Sequence, residues 1–433
     1  MFFIIKKYGV SFLKLLINMK TKLRIIIFNL FISCGMFIIN GQNIVIKGDS
    51  IEILLNENFK ESQVQWQVSY DNKKWTDISG EKKKVFRTQI LTNCSFRASL
   101  KNGSCNFYSD SIPIEVFDIK LYDENGKPRI SKDSEYIIII PDIQNYIQYT
   151  ENNKYLVQMI DWIMKMQRLN YKIKVILQEG DLTEHNIVSE WEKSKEIFSV
   201  LDGKIPVIYC TGNHDHGTNG FTYNNRNTFF SKYFNYSILN QYYIESYKSG
   251  SYENSFFRVP IKNRVLQIFS IEFAPNDSVL MWANKVEDKY NKDISFLLTH
   301  AYLYRENERY NYNKFGLTQS GTPYFYGIAK FDKVNDGEDI WNKFVSSNIN
   351  IRAVFSGHVE YLPDYTEIMN STNNYGFNVH QMVFNTQNIQ NGGNGWIKIL
   401  EFINDNTINV KTYSPVLNQW KTDYKNQYII ELN

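Results

Sequence analysis

The sequence predicts an α/β protein of mixed, largely parallel β-sheets flanked by helices, with an all-β sandwich ahead of it. Three observations predict this. First, six apolar runs of strand length follow residue 135: "YIIII" (136–140), "IKVIL" (173–177), "IPVIYC" (205–210), "VLQIFSI" (265–271), "ISFLL" (294–298) and "IRAVF" (351–355). Strands apolar on both faces belong in sheets covered on both sides. Second, helical stripes lie between several of them, one built from Leu156, Met159, Ile160, Ile163 and Met164, another from Val279, Trp282, Ala283, Val286 and Tyr290, and strands alternating with helices make layered α/β folds. Third, residues 43 to 118 carry a period of two instead, clearest in "VQWQVSY", the mark of half-buried strands.

Taken in order, residues 1–41 read as a targeting segment. From Met19, an alternative start, Lys20, Lys22 and Arg24 precede an apolar stretch from Ile25 to Ile39, and Gly41 is a small residue suited to cleavage; charge, apolar run and small residue in this order make a signal peptide. Asn29 and Gly35 interrupt the stretch, which is short of the ~20 apolar residues a membrane span needs. Cys34 offers a lipoprotein anchor, but Phe31 stands where such a signal carries a small aliphatic residue. The expectation is an exported protein whose mature chain has no transmembrane span.

Export permits disulfides, and Cys94 and Cys105 flank the hairpin signal "KNGS". In the register that places Leu100 opposite Cys105, Cys94 lies roughly 20 Å away along the strand, whereas a disulfide needs Cα atoms within ~7 Å. No bond between them is expected. Turn signals at "YDNKKW" and "KNGS" and a closing "IPIEVF" complete a sandwich over 42–118. The polar stretch 119–134, with Gly126 and Pro128, reads as a linker, and 135–433 as the second domain.

Composition excludes other classes. Apolar residues at 43% and charged residues at 21% describe a globular chain with a large core. The net charge is +3 and no run of five or more basic residues occurs, so neither nucleic acid nor an anionic membrane is indicated as a partner.

The polar residues that follow the apolar runs carry the chemistry. They are Asp142 and Gln144 after the first, Asp181 after the second, Asn213, His214 and Asp215 after the third, His300 after the fifth, and His358 and Glu360 after the sixth. Ligands gather at the carboxyl ends of strands in open α/β sheets. A single Gly-Asp pair or strand-end histidine is more often structural, but five strand ends each presenting a metal-capable group point to a metal site.

With these residues in order, the segment from 135 to about 420 resembles the calcineurin-like metallophosphoesterases. "PDIQNY", "EGD", "GNHD", "THAY" and "SGHVEY" stand for their Asp-x-His, Gly-Asp, Gly-Asn-His-Asp, lone His and Gly-His-x-His motifs, and "GGNGWIKILEF" and "VKTYSPVLNQW" are similar to the closing strands of exported bacterial members. The segment "WQVSYDNKKWTDISG" with "SFRASLKNGSCNFYSDSIPIEV" resembles small immunoglobulin-like modules. The first resemblance implies hydrolysis of a phosphate mono- or diester by a hydroxide bridging two divalent metal ions. It implies that Asp181 bridges them, that Asp142 and residue 144 hold the first, and that Asn213, His300 and His358 hold the second. It implies that His214 faces the substrate phosphate as the catalytic imidazole, oriented by Asp215.

The sequence departs from the family pattern at Gln144, where His is commoner, and at Glu360, in place of the final His. Both fall on the first site and make it all-oxygen, which favours Mn²⁺ or Mg²⁺ there, while the histidines of the second suit Mn²⁺, Fe or Zn²⁺. The implied partner is a phosphate-ester substrate, with a glycan or protein partner for the N-terminal module. The alternative is a binding or adhesion protein whose altered first site has lost activity. His185 and His216 match no ligand position, and His380 reads as structural.

Overall fold

The computed structural model describes residues 23–26, 43–55, 63–125, 128–359 and 365–432. Met19, Cys34, Gly41 and Glu360 lie outside them. The chain divides into two compact units, 1–119 and 120–433.

Unit one is all-β. Its strands are β1 (Leu23–Ile26), β2 (Asn43–Ile46), β3 (Ser50–Leu54), β4 (Gln63–Ser69), β5 (Thr76–Asp77), β6 (Val85–Gln89), β7 (Cys94–Asn102), β8 (Cys105–Tyr108) and β9 (Ile112–Phe117). They form the sheets β1-β3-β6 and β2-β9-β7-β4-β5, with β8 on β7. Ile51, Ile53 and Phe86 of one sheet share a core with Val64, Trp66, Phe96, Leu100 and Ile114 of the other, and the Trp66 and Phe86 rings stack at 5.3 Å. Burying each such Ile, Val or Phe contributes about 1.5–3 kcal/mol, which is why the alternation in "VQWQVSY" settles with Val64 and Trp66 inward. The hairpin closes more tightly than expected. Asn102, not Leu100, faces Cys105, because Gly103 at φ 60° admits a two-residue turn. Cys94, eight residues from Asn102 along β7, and Cys105 are both free.

Unit two contains two seven-stranded sheets. The strands are β10 (Glu135–Ile140), β11 (Lys172–Gln178), β12 (Val207–Tyr209), β13 (Tyr243–Lys248), β14 (Ser251–Ile261), β15 (Arg264–Ile271), β16 (Ile294–Thr299), β17 (Ile351–Ser356), β18 (Tyr365–Thr372), β19 (Asn378–Asn385), β20 (Ile397–Phe402), β21 (Thr407–Ser414), β22 (Gln419–Lys421) and β23 (Tyr428–Glu431). One sheet runs β12-β11-β10-β20-β21-β22, with β23 on β21; the other runs β13-β14-β15-β16-β17-β19-β18. Parallel pairing is confined to β12-β11-β10 and β15-β16-β17-β19, the strands read from the apolar runs together with β19. Antiparallel strands border them.

The helices cover these sheets by their apolar stripes: α1 (Gln144–Gln148), α2 (Asn153–Arg168), α3 (Val188–Phe198) and α4 (Asp277–Lys289). In α2, Leu156, Met159, Ile160 and Ile163 are buried as expected, joined by Trp162 and Met166. In α4, Val279, Ala283 and Val286 enter a core shared with Phe269 and Leu297. No helix among the described residues is long and apolar enough to cross a membrane.

Residues 120–134 fold with unit two. Leu121 and Ile130 are buried, the Trp420 indole donates to the Lys120 carbonyl at 2.7 Å, and the Ser131 amide donates to Glu401 at 2.8 Å. The two sheets meet at their carboxyl ends, where Ser270 donates to the Tyr209 carbonyl (2.7 Å) and the Phe273 amide to Thr211 (2.9 Å). That junction sets the site.

Candidate metal centre

Three strands of each sheet deliver one residue or more to a single point. Asp142, Asp181 and Asn213 follow β10, β11 and β12; His300 and His358 follow β16 and β17, and Asn385 ends β19. All are buried. Two of them hold backbone conformations that L-residues rarely adopt, Asp181 at φ 52° and His358 at φ 72°. Such strain persists only where surrounding structure enforces it, and it concentrates at functional sites. The turns demand glycine for proximity as well: a Cβ at Gly212 would collide with the Asp181 carboxylate, and one at Gly357 with that of Asp142.

The second-site group is the tighter. Nε2 of His300 lies 3.1 Å from Asn213 Oδ1, 3.2 Å from Asp181 Oδ2 and 3.1 Å from Nδ1 of His358. The outer nitrogens fix the tautomers. His300 Nδ1–H donates to the Glu179 carbonyl (2.8 Å) and His358 Nε2–H to that of Gly321 (2.7 Å), leaving two inward lone pairs facing each other beside a carboxylate and an amide oxygen. A proton on His300 or a metal ion would satisfy such a pair, and these donor types are the usual ligands of a divalent transition metal. Asp181, His300 and His358 fit such an ion.

Electrostatics agree. Burial pushes His300 toward the neutral form, but the charges of Asp181 and Asp142 outweigh it and raise its pKa to about 9. The field that would hold that proton would equally hold a metal. Burial and the His300 charge push His358 down to about 3. Burial opposes ionisation of Asp181, yet His300 and His214 more than offset it and hold its carboxyl well below the usual range.

The first-site residues are present but less converged. Gln144 opens α1 and donates from Nε2 to Asp181 Oδ2 (3.0 Å), while its buried Oε1 finds no hydrogen-bond partner, an orphan that a cation would satisfy. Asp142 accepts from the His358 amide (3.0 Å) and from Asn385 Nδ2 (2.8 Å). Asn385 was not legible as a site residue, although "VFNTQ" also ends a strand. Outer hydrogen-bond partners of ligands typically tune metal affinity 10–100-fold. Asn385→Ala should therefore weaken metal binding by about 10–100-fold without removing a ligand. Titration of the apoprotein with Mn²⁺ checks this, and unchanged affinity contradicts the role.

His214 stands beside the centre rather than in it. Its amide donates to Asp181 Oδ1 (3.0 Å), its Nδ1 meets the Glu184 carbonyl at 2.8 Å, and the Glu184 carboxylate lies 3.5 Å away. Burial lowers its pKa, but Asp181 and Glu184 reverse that and raise it. Asp215 does not orient this imidazole, contrary to the expectation from the family pattern. Its carboxylate turns back and accepts from the amides of Gly212 (2.9 Å), Leu182 (3.1 Å) and Thr183 (3.0 Å) and from the Thr183 hydroxyl (3.0 Å). Consecutive side chains of a 3₁₀ turn (213–215) do not face one another. Burial and the Asp181 charge push Asp215 up to about 7, while its four donors favour the ionised form.

The remaining histidines separate cleanly. His185 pairs with Glu190 through Nδ1 (2.8 Å), and Glu190 also accepts from the Glu184 and His185 amides (3.0 and 2.7 Å), so α3 anchors the loop that orients His214. His216 is buried and bonds the Arg226 carbonyl at 3.2 Å, pinning the loop beyond it. His380 lies between Asn370 and Tyr428 (3.2 and 3.1 Å), a structural position.

Comparison with known proteins accords with this geometry. A domain of unknown function matches residues 37–118, and the calcineurin-like phosphoesterase family matches residues 136–362. The uncharacterised protein YvnB of Bacillus subtilis (strain 168) is 25% identical over 274 residues, which is 61% of this chain and 19% of that protein; the chain thus spans about a fifth of that relative's length. A purple acid phosphatase from yellow lupin (Lupinus luteus) seeds superposes with a TM-score of 0.40 at 8% identity, covering 90% of this chain and 73% of that one. A 5′-nucleotidase from Candida albicans SC5314 does so with a TM-score of 0.32 at 10% identity, covering 69% and 51%. The family match spans more than half of the 433 residues and contains the strand-end motifs that build the centre, so the chain belongs to the calcineurin-like phosphoesterase family.

Proposed function

We propose that this chain is an exported hydrolase that works with two divalent cations on a phosphate mono- or diester. The observation that carries the proposal is the pair of inward imidazole nitrogens 3.1 Å apart, set beside Asp181 Oδ2, which also accepts from Gln144 Nε2. When bound, two such cations activate the attacking water and neutralise charge on the phosphoryl group in an in-line displacement. Asp181, whose Oδ2 meets both groups, would serve both; Asp142 and Gln144 would hold the first, and Asn213, His300 and His358 the second. His214 keeps Nδ1 on the Glu184 carbonyl, which leaves Nε2 to hold a proton for the leaving oxygen.

Export is supported by Lys20, Lys22 and Arg24 ahead of the apolar stretch to Ile39. For the N-terminal unit a glycan or protein partner is supported by the aromatic face on which Arg97 stacks between Trp75 (4.2 Å) and Tyr108 (4.0 Å).

The test is a panel of phosphomonoesters and diesters offered to the chelated chain with Mn²⁺, Mg²⁺ or Zn²⁺ restored. Turnover that vanishes on chelation and returns with metal is the expected result. A chain that binds metal and turns over no ester would favour the binding-protein reading instead. The metal at the first site is tested by Glu360→His. If Glu360 ligates, the variant's preference moves from Mn²⁺ or Mg²⁺ toward Zn²⁺, whereas an unchanged metal profile removes Glu360 from the shell.

A further inference from the structure

Aromatic rings lead outward from the centre. The His358 ring packs against Phe273 (5.5 Å), Tyr310 (5.7 Å) and Tyr326 (6.1 Å). Tyr326, itself buried, meets Phe221 at 5.5 Å and Phe325 at 5.7 Å. Here burial stops: Phe221 is 45% exposed, Phe325 57%, and Tyr223, which lies against Gly327, 60%. Single exposed aromatics are ordinary on a protein surface, but a group of them beside a functional centre marks a binding surface.

The two loops that carry these rings are fixed to the centre by their backbones. The Thr222 hydroxyl donates to the Asn213 carbonyl (2.6 Å), and its amide donates to the His216 carbonyl (3.0 Å). Gly220, at φ 68°, is pressed so closely on the His214 and Glu184 carbonyls that no Cβ would fit. The Ile328 amide donates to the Thr222 carbonyl (3.1 Å), joining the second loop to the first. Phe221 and Phe325 therefore stand at set positions outside Tyr326, on the side of His358. The unexplained His216 belongs to this arrangement, since it holds both ends of the loop that presents Phe221.

We propose that Phe221, Tyr223 and Phe325 form a rim around Tyr326 that seats a flat ring carried by the ester's leaving group. The preferred substrates are then esters of ring-bearing alcohols, aryl or nucleoside, rather than of acyclic polyols. Aromatic faces reward offset or edge contact with another planar ring, and stacking of this kind is sequence- and substituent-tolerant. The proposal rests on the phosphoesterase reading above.

Steady-state kinetics of the full chain with added Mn²⁺ test it, using AMP, phenyl phosphate and glycerol 3-phosphate, or the matching diesters if only diesters are turned over. In the wild type, kcat/KM should favour a ring-bearing ester over the glycerol ester, and whether AMP or phenyl phosphate leads tells a nucleobase from a simple aryl ring. In Phe221→Ala/Phe325→Ala the ratio of ring-bearing to glycerol ester kcat/KM should fall about tenfold. Phe221→Tyr should retain it. A wild type without ring preference, or a double variant that loses all esters in equal proportion, overturns the rim while leaving the phosphoesterase reading intact. Failure of the wild type to hydrolyse any ester with metal bound overturns both.

Discussion

Asp181→Ala should lose bound divalent metal and turnover together, with activity falling to the assay background. No other described residue meets both His300 and Gln144. Oδ2 faces His300 Nε2 and Gln144 Nε2 at 3.2 and 3.0 Å, and Oδ1 accepts the His214 amide at 3.0 Å. Removing the carboxylate leaves buried imidazoles and an amide with too little negative charge to draw a dication from water, because desolvating an ion is repaid only by close opposite charge. It also frees the His214 amide, so the catalytic loop loses its anchor at the same stroke. Asp181→Asn separates these effects. Asparagine tolerates the φ of 52° and can still accept the His214 amide, so this variant should keep its fold and loop yet bind metal poorly. Metal content per chain, thermal unfolding and turnover measured on both variants decide the matter. Two metals and normal turnover in either would defeat the proposed role of Asp181.

What made this centre legible in advance was that parallel strands are apolar throughout. "YIIII", "IKVIL" and "IRAVF" could be placed in a covered sheet without knowing their neighbours, and the residues directly after them had to lie at one edge. The antiparallel borders lack that signature. In "YIESYK" (β13) every position is at least part-exposed, and β18 reads almost as polar as a loop, so neither strand could be told from its surroundings. The site failed to be legible where distance in sequence misled. Asp215 adjoins His214 in the chain but points into its own turn, while Glu184, thirty residues earlier, reaches the imidazole. Only the approach of the β11 and β12 loops brings that pair together, and no local pattern records it. Asn385 is hidden for a related reason: it ends β19, a buried strand whose "NVHQMVFN" mixes polar with apolar positions because His380 and Gln381 find their hydrogen-bond partners on distant elements.

His214→Ala should keep bound metal and lose roughly 10²–10⁴-fold in turnover, the usual contribution of a positioned general acid. The imidazole touches no other proposed ligand, and the part of His214 that does support the centre, its amide on Asp181, survives the substitution. Loss of metal in parallel would make His214 a ligand and defeat this assignment. The two carboxylates near it should then respond differently. Glu184→Gln preserves the carbonyl that holds Nδ1 at 2.8 Å and removes only the charge 3.5 Å away, so turnover should fall modestly, by about tenfold or less, at unchanged thermal stability, since a part-exposed pair contributes about 1 kcal/mol. Asp215→Asn instead turns an amide N–H₂ toward donors of the 182–183 and 212–215 turns, leaving buried groups unsatisfied at about 1–3 kcal/mol each. It should lower stability and metal content together, because Asn213 rides on the same turn. If Asp215→Asn reduced kcat alone, at wild-type stability and metal content, the carboxylate would be acting on the imidazole after all, and the orienting role would pass back from Glu184 to Asp215.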